Sequence, residues 1–405
     1  MGATSENWAP QRPIKVAHVT TVALSLRHLL LHQLEAIRGS GYTPIGVSAP
    51  GDDAASLEAR GIRHIAVPMT RAFAPLSDLV ALLRLVRVMR RERFTIVHTH
   101  TPKGGLLGQY AALAAGVPLR LHTIHGLYLP ENVGPTTRRM FVLLERAIMA
   151  FSHHNFSQNA EDVDLAIREG ICAAERIELI LNGIDLTEFD PSRFSPAQRR
   201  ALRESLGLSE QQFVIGIVAR LVRKKGYLEV LEAARLLRNR APHVRFLCIG
   251  PVEPEKNDAL HPDAAKEQGV DDIVRFLGHR SDVADLFSIM DAFTLPSHHL
   301  EGFPRAAMEA AAMGVPAIVT NVKGCRDAVE HDRTGYLVPV RDARALAGAL
   351  LDVVENPDTR ARLGAAGRRK ALAEFDERIV FDRILKRYAS LLGESAPRHN
   401  GAAIR

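Results

Sequence analysis

Residues 297–314 read SHHLEGFPRAAMEAAAMG and follow the apolar run AFTLP at 292–296. A short apolar run closed by proline reads as a buried strand whose chain turns at its C-terminal end. A helix then starts near Pro304, because proline is tolerated in a first helical turn. Glu301 and Gly302 fall in the loop ahead of that helix, and Glu309 more than one turn inside it. The free backbone N–H groups of residues 302–305 would point out of the helix start, a place for a diphosphate or another anion. A carboxylate accepts hydrogen bonds from vicinal hydroxyls, so one acid before the helix and one within it suit opposite ends of a long polyhydroxyl ligand such as a sugar nucleotide. The plainer reading is a helix of small residues, Ala306, Ala307, Ala310, Ala311 and Ala312, packed on a sheet with Glu309 as a solvated acid.

Outward from this stretch the same pattern recurs. Runs 14–22, 43–48, 62–67, 96–99, 121–124, 154–157 and 177–181 read as strands, and 24–37, 76–91, 106–115 and 138–151 as helices. Such alternation predicts a parallel, doubly wound α/β sheet with ligands at the C-terminal ends of its strands. From Asn182-Gly183-Ile184-Asp185 the chain becomes acidic and proline-containing through Pro191 and Pro196, which reads as a linker. The pattern then restarts with strands 213–219, 244–249, 273–277, 317–320 and 335–338 and a helix at 227–239. The expected organisation is a disordered start at 1–13, a first domain at 14–185, a second at 186–375, a helix at 376–394 returning to the first, and a disordered tail at 395–405.

The 405 residues suffice for two domains with separate cores, and 46% hydrophobic with 24% charged residues is ordinary for a globular protein. Three widely spaced cysteines argue against a disulfide framework or a zinc site and for a reduced, cytosolic compartment. No run has the pattern of a signal peptide or the length of a membrane span. A net charge of +6 favours anionic partners. Nucleic acid is not among them, since 5% aromatic residues and no recognisable nucleic-acid motif leave little to stack on bases.

The strand ends carry the conspicuous side chains. Residues 98–105, HTHTPKGG, bring Thr101, Lys103, Gly104 and Gly105 to a helix start where an anion would be welcome. His125-Gly126 closes the next strand. His98, His100, His122 and His125 suggest a metal centre at first sight, but no cysteine or acid completes a ligand set, and no metal is expected. Residues 220–226, RLVRKKG, repeat the basic, glycine-containing turn, with Arg220 as a two-pronged donor and Lys225 as a point charge for a diphosphate. Arg280 stands at another strand end. No G-x-G-x-x-G follows the first strand, which counts against a dinucleotide site. Asp162-Val163-Asp164 matches a metal-binding D-x-D but falls at a helix start, where capping explains it. Stretches 79–93 and 138–151 mix leucine, valine and methionine with arginine, as a core face with a solvated basic face or as a surface for an anionic membrane.

Taken together, THTPKGG, His125-Gly126, Asn182-Gly183-Ile184-Asp185, Arg220 with Lys225-Gly226, Glu301-Gly302-Phe303-Pro304-x4-Glu309 and Thr334-Gly335-Tyr336-Leu337-Val338 resemble the family 4 glycosyltransferases of the GT-B fold over nearly the whole chain. The first of these motifs is similar to the branch that builds capsule, O-antigen and lipid-linked oligosaccharides. The resemblance implies two Rossmann-like domains facing across a cleft, with the acceptor in the first and the nucleotide sugar in the second. By it, Arg220 and Lys225 bind the diphosphate, Glu309 the ribose hydroxyls, and Glu301 with Gly302, Phe303 and Pro304 the donor sugar, with Arg280 on the same side. His125 faces the reacting sugar. His125, Glu301, Arg220 and Lys225 are the expected catalytic set, and transfer proceeds with retention, without metal or cofactor. Many relatives have a glycine-rich turn after the first strand, which residues 20–27, TTVALSLR, lack; Ser25 and Arg27 are expected to substitute, beside Thr101, Lys103 and Gly104, on the acceptor side.

The expectation is therefore a transferase moving a hexose or N-acetylhexosamine from a UDP-sugar to a lipid-linked or saccharide acceptor, peripheral on the cytoplasmic face of the plasma membrane. A UDP-sugar 2-epimerase-like isomerase and a non-catalytic sugar-nucleotide-binding protein remain open beside it, as does the oligomeric state.

Overall fold

The computed structural model describes residues 13–72, 74–127, 129, 134–254 and 256–393; the ends expected to be disordered lie, apart from Pro13, outside them. Two compact units are present, residues 1–180 with 381–405, and residues 181–380.

The first unit is built on seven strands: β1 Lys15–Val22, β2 Thr43–Ala49, β3 Arg63–Ala66, β4 Ile96–His100, β5 Leu119–Ile124, β6 His154–Ser157 and β7 Ile177–Leu179. Every pairing is parallel, in the order β3-β2-β1-β4-β5-β6-β7. The period of two decides what each face carries. Ala17, Val19, Ile45, Val47 and Val97 pack into one apolar core with Ala81, Leu85 and Met89 of the helix Pro75–Glu92 and Leu107 and Ala111 of the helix Pro102–Ala114. Their strand neighbours His18, His98 and His100 face the other way and are fully buried. Tyr388, on the last helix Glu377–Leu392, covers this polar patch.

The second unit holds β8 Phe213–Val218, β9 Val244–Ile249, β10 Val274–Gly278, β11 Ala292–Leu295, β12 Ala317–Thr320 and β13 Gly335–Val338, in the order β10-β9-β8-β11-β12-β13. Successive residues feed opposite cores: Val214 and Leu247 one, Ile215 and Cys248 the other. A sheet covered on both faces needs strands that are largely apolar, as these are apart from Arg245, Arg275, Thr294 and Thr320. In each sheet the order reverses between two adjacent strands, β1 and β4 in the first, β8 and β11 in the second, and the crevice at their C-terminal ends is where such folds take ligands.

Two local expectations are corrected. The helix after β1 is not regular: a π-turn, Leu26–Leu30, separates Ala23–Ser25 from Leu31–Gly39. Leucines at 24, 26, 29, 30 and 31 supply an apolar residue in nearly every phase, so periodicity could not register the extra residue. The helix expected at 106–115 starts instead at Pro102, with proline in its first turn, so Lys103, Gly104 and Gly105 are helical. A Cβ on Gly104 would come within 3.1 Å of the Thr20 backbone, so this glycine allows close packing of the helix on β1. Residues 182–185 run beside 375–377, with Ile184 bridged to Asp376.

Candidate active site

In the second unit the topology brings the turn after β8 beside the loop after β11. Lys225 Nζ lies 2.5 Å from Glu301 Oε1, and the same carboxylate oxygen accepts a 2.5 Å hydrogen bond from Ser297 Oγ. His298 and Glu229 join the two segments again at 2.7 Å, and the His298 amide donates to the Lys224 carbonyl. Gly226, at φ 80°, permits this approach, because any Cβ there would strike the Pro296 carbonyl. Lys225 and Glu301 are only 17% and 14% exposed, so their attraction is weakly screened.

Arg220, 42% exposed, is paired at 2.7 Å with Glu253. Both cations expected to meet a diphosphate thus already hold a carboxylate. Gly302 and the buried Phe303, which packs edge-on to Phe375, lead to Pro304, the N-cap of the helix Arg305–Ala312. Pro304 sits one position ahead of where a first-turn proline would be, because its ψ of 103° is extended.

Glu309 is 12% exposed, which corrects the reading of it as a solvated acid. Burial raises its carboxyl pKa to about 7, against the opposing pull of Arg305, 3.8 Å away. Arg280 is engaged by Asp282, Nε to Oδ1 at 2.7 Å, so its guanidinium is turned into a local pair.

In the first unit, Thr101 adopts φ 62°, ψ 149°, a region that β-branched residues avoid, at the N-cap of Pro102–Ala114. Its Oγ1 lies 3.0 Å from Thr21 Oγ1, joining the ends of β1 and β4. Lys103 departs from expectation: Asp78 holds it at 2.5 Å and Thr70 accepts from it at 3.2 Å, so its charge is already balanced. Arg27 likewise pairs with Asp53 at 2.8 Å, and Ser25 is half-buried in the turn after β1. Asp162 is not the cap of its helix; Asn159 is, while Asp162 accepts the Leu127 amide at 2.7 Å and fixes the segment after His125.

His125 is half-buried, with Nδ1 3.1 Å from Gln158 Oε1 and Nε2 3.0 Å from His100 Nδ1. Burial lowers its pKa to about 4, so it is neutral. Ligand atoms of His18, His98 and His100 lie within 4.8 Å of one another. However, the His98 and His100 rings stack at 4.4 Å, and His98 spends its two nitrogens on Tyr388 and Thr123, at 2.6 and 2.7 Å. Stacked rings do not converge their lone pairs on one ion, and the donor set fits a hydrogen-bond network.

The sequence reading missed Ser297, Glu229, His298, Glu253, Asp78, His18, Gln158 and Tyr388. Ser297 lies four residues from Glu301 in one loop. The pairings of His298 with Glu229, Glu253 with Arg220, Asp78 with Lys103, and Gln158, His18 and Tyr388 with the histidines join segments distant in the chain, which no local pattern encodes. His18 left a signal as a histidine in an apolar strand, and Ser297 and His298 stand inside the 297–314 stretch itself.

Two family models match the chain: "Glycosyl transferases group 1" over residues 198–370 and "Glycosyl transferase 4-like domain" over 17–183. The chain is similar to a capsular polysaccharide biosynthesis glycosyltransferase of Staphylococcus aureus, 29% identical over 388 residues, with 94% of this chain and 98% of the relative covered. It is also similar to the Escherichia coli UDP-Gal:α-D-GlcNAc-diphosphoundecaprenol α-1,3-galactosyltransferase, 28% identical over 349 residues, covering 85% and 88%. Among solved structures, an Anabaena protein in complex with UDP and glucose superposes with a TM-score of 0.79 at 22% identity, over 93% of this chain and all of that one.

Proposed function

The chain belongs to the GT-B glycosyltransferases of the group 1 and family 4-like kind, and from that premise we propose that it moves a hexose or N-acetylhexosamine from a UDP-sugar to a lipid-linked saccharide, with retention, in the assembly of a bacterial surface glycan. The observation that carries this reading is the meeting of Lys225, Glu301 and the start of the helix Arg305–Ala312 at the reversal of strand order in the second unit. The S. aureus and E. coli relatives, by their names, work on capsular polysaccharide and on a diphosphoundecaprenol-linked sugar, which supports the acceptor class.

In this reading donor binding exchanges partners. The diphosphate takes Lys225 from Glu301 and Arg220 from Glu253, and the released Glu301 accepts hydrogen bonds from sugar hydroxyls. Glu309 receives the ribose hydroxyls, with Gly302, Phe303 and Pro304 lining the sugar. When the bond from the anomeric carbon to the diphosphate oxygen breaks, its electron pair stays on that oxygen, and the two cations with the helix start stabilise the charge. The acceptor hydroxyl bonds to the same face of the sugar and gives its proton to the departing diphosphate. His125 of the first unit serves at the reacting sugar, and Thr101 with the Gly104 backbone on the acceptor side. Lys103 and Arg27 act on the acceptor side, and Arg280 on the donor side, only by leaving their present carboxylates.

No helix among the described residues is long and apolar enough to cross a membrane. Peripheral attachment at the inner face of the plasma membrane rests instead on neighbouring helices of the first unit that expose leucine and methionine beside arginine.

The test is release of UDP from a panel of UDP-sugars with and without an undecaprenyl-diphosphate-linked sugar. Release that depends on the acceptor is expected; sugar isomerisation without acceptor, or binding without release, would favour the isomerase or the silent binder and overturn the proposal.

A further inference from the structure

His125 is the outer end of a file of imidazoles. Gln158 Oε1 stands 3.1 Å from its Nδ1, His100 Nδ1 3.0 Å from its Nε2, and His18 Nδ1 3.1 Å from His100 Nε2. An amide oxygen only accepts, so the His125 proton sits on Nδ1, and a neutral ring protonated there can only accept at Nε2. His100 must then donate from Nδ1 and accept at Nε2, and His18 must donate from its own Nδ1. The polarity runs one way along the file and ends at His18 Nε2, a buried nitrogen with no hydrogen-bond partner.

The surroundings hold the rings in place. His18 and His100 stack at 5.3 Å with 16° between their planes, and His98, pinned between Tyr388 and Thr123, stacks on His100 from the next position of β4 on that face. β1 and β4 are adjacent and in register at His18 and His98, so backbone pairing fixes the spacing of the file. Burial keeps His18, His98 and His100 uncharged, and the charges that reach His100 are those of His98, His125, His18 and His122, each opposing a further proton.

We infer that His100 and His18 are positioning residues for His125, fixing it as the neutral Nδ1–H tautomer so that its half-buried ring meets the sugar without a positive charge. An imidazolium there would repel the positive charge that grows on the sugar ring as the leaving group departs. This rests on the reading of His125 as the first unit's group at the reacting sugar. Neither histidine touches the substrate in this account; both act through the ring they orient.

The full chain labelled with ¹⁵N-histidine reports the tautomers directly from the imidazole nitrogen shifts. At neutral pH His125 and His100 are expected as Nδ1–H forms, and finding His125 as Nε2–H or as an exchanging mixture would overturn the inference. Kinetics supply the second measurement. H100L removes the donor to His125, whereas H100N keeps an N–H near the Nδ1 position. H100L should lower kcat on the order of 100-fold, as misplacement of a reacting group does, with little change in donor KM. H100N should restore most of the rate, and H100L should add nothing in a His125→Ala background. If His125→Ala itself retains full turnover, the role given to His125 fails; if His125→Ala is inactive while H100L is fully active, only the positioning role fails.

Discussion

Lys225 and Glu301, seventy-six positions apart in the chain, meet at 2.5 Å because β8 and β11 are neighbours in the second sheet. The two form an ion pair, and under the proposed exchange of partners they become separate ligands when donor binds, which predicts opposite effects of the two residues on nucleotide binding. Lys225→Ala should weaken UDP binding and lower turnover on the order of 100- to 1000-fold, the usual cost of losing a preorganised charge at a leaving group. Glu301→Gln should lower turnover while leaving UDP binding equal or tighter, since the competitor for Lys225 is gone. Titration calorimetry with UDP separates the two, and equal weakening by both substitutions would sink the exchange of partners.

Glu309 sets a pH dependence. Its carboxyl is raised from 4.5 to about 7 by burial, so between those values the folded chain keeps a proton that the unfolded chain has lost. Stability therefore falls as pH rises from 4.5 to about 7 and is level above, by about 3 kcal/mol for this one group. Glu309→Gln should flatten that slope and be the more stable protein above pH 7 in urea unfolding. If Glu309 receives the ribose hydroxyls as proposed, they donate to its ionised form, so donor affinity should rise with pH across the same range. Identical pH slopes in the two proteins would show that Glu309 titrates normally.

Much of this was legible beforehand because the decisive features are local. The 297–314 stretch carries its strand, its loop acids and its helix in one reading frame, and the alternation of strand and helix is written in periodicity. Partners drawn from other strands were not legible. Nothing near Lys103 announces Asp78, twenty-five residues earlier, and nothing near Arg220 announces Glu253. A free basic residue and a paired one look alike in a sequence, and they differ by an ion pair that only the sheet order creates. The packing demand on the glycines at 104 and 105 was hidden for the same reason: the neighbour that requires a small residue, the Thr20 backbone for Gly104 and the His122 ring for Gly105, lies on another strand.

The buried histidines should make the first unit labile to acid. Burial lowers His18 and His122 to about 3 and His125 to about 4, and His98 and His100 are shifted down for the same reason. In the unfolded chain these rings protonate near 6.5, so unfolding takes up protons below that pH. Stability is full above 6.5 and falls as pH drops towards 4, by up to about 1.4 kcal/mol per pH unit for each histidine that stays neutral. Near-ultraviolet circular dichroism across this range should show an early loss that His98→Phe or His18→Phe makes shallower. A flat response between pH 6.5 and 4 would mean that the rings accept protons in place.

The membrane reading has its own test on the first unit. Leu76, Leu79, Val80 and Leu83 are exposed along one face of the helix Pro75–Glu92, Leu76 by 83%, and Arg84, Arg87 and Arg91 continue that face. The helices Pro102–Ala114 and Pro135–Met149 lie alongside, exposing Tyr110, Leu113, Met140, Leu143 and Leu144. A face that is apolar at one end and basic at the other suits an interface of acyl chains and anionic headgroups, where each arginine contributes about 1 kcal/mol. The protein should sediment with phosphatidylglycerol vesicles at low salt and much less with phosphatidylcholine alone. Replacing Arg84, Arg87 and Arg91 by glutamine should abolish that preference, because about 3 kcal/mol of attraction is more than a hundredfold in partition. Replacing Leu79 and Leu83 by serine should weaken attachment while leaving the preference for anionic lipid. Equal sedimentation with both vesicles, or none with either, would leave this face without a membrane role.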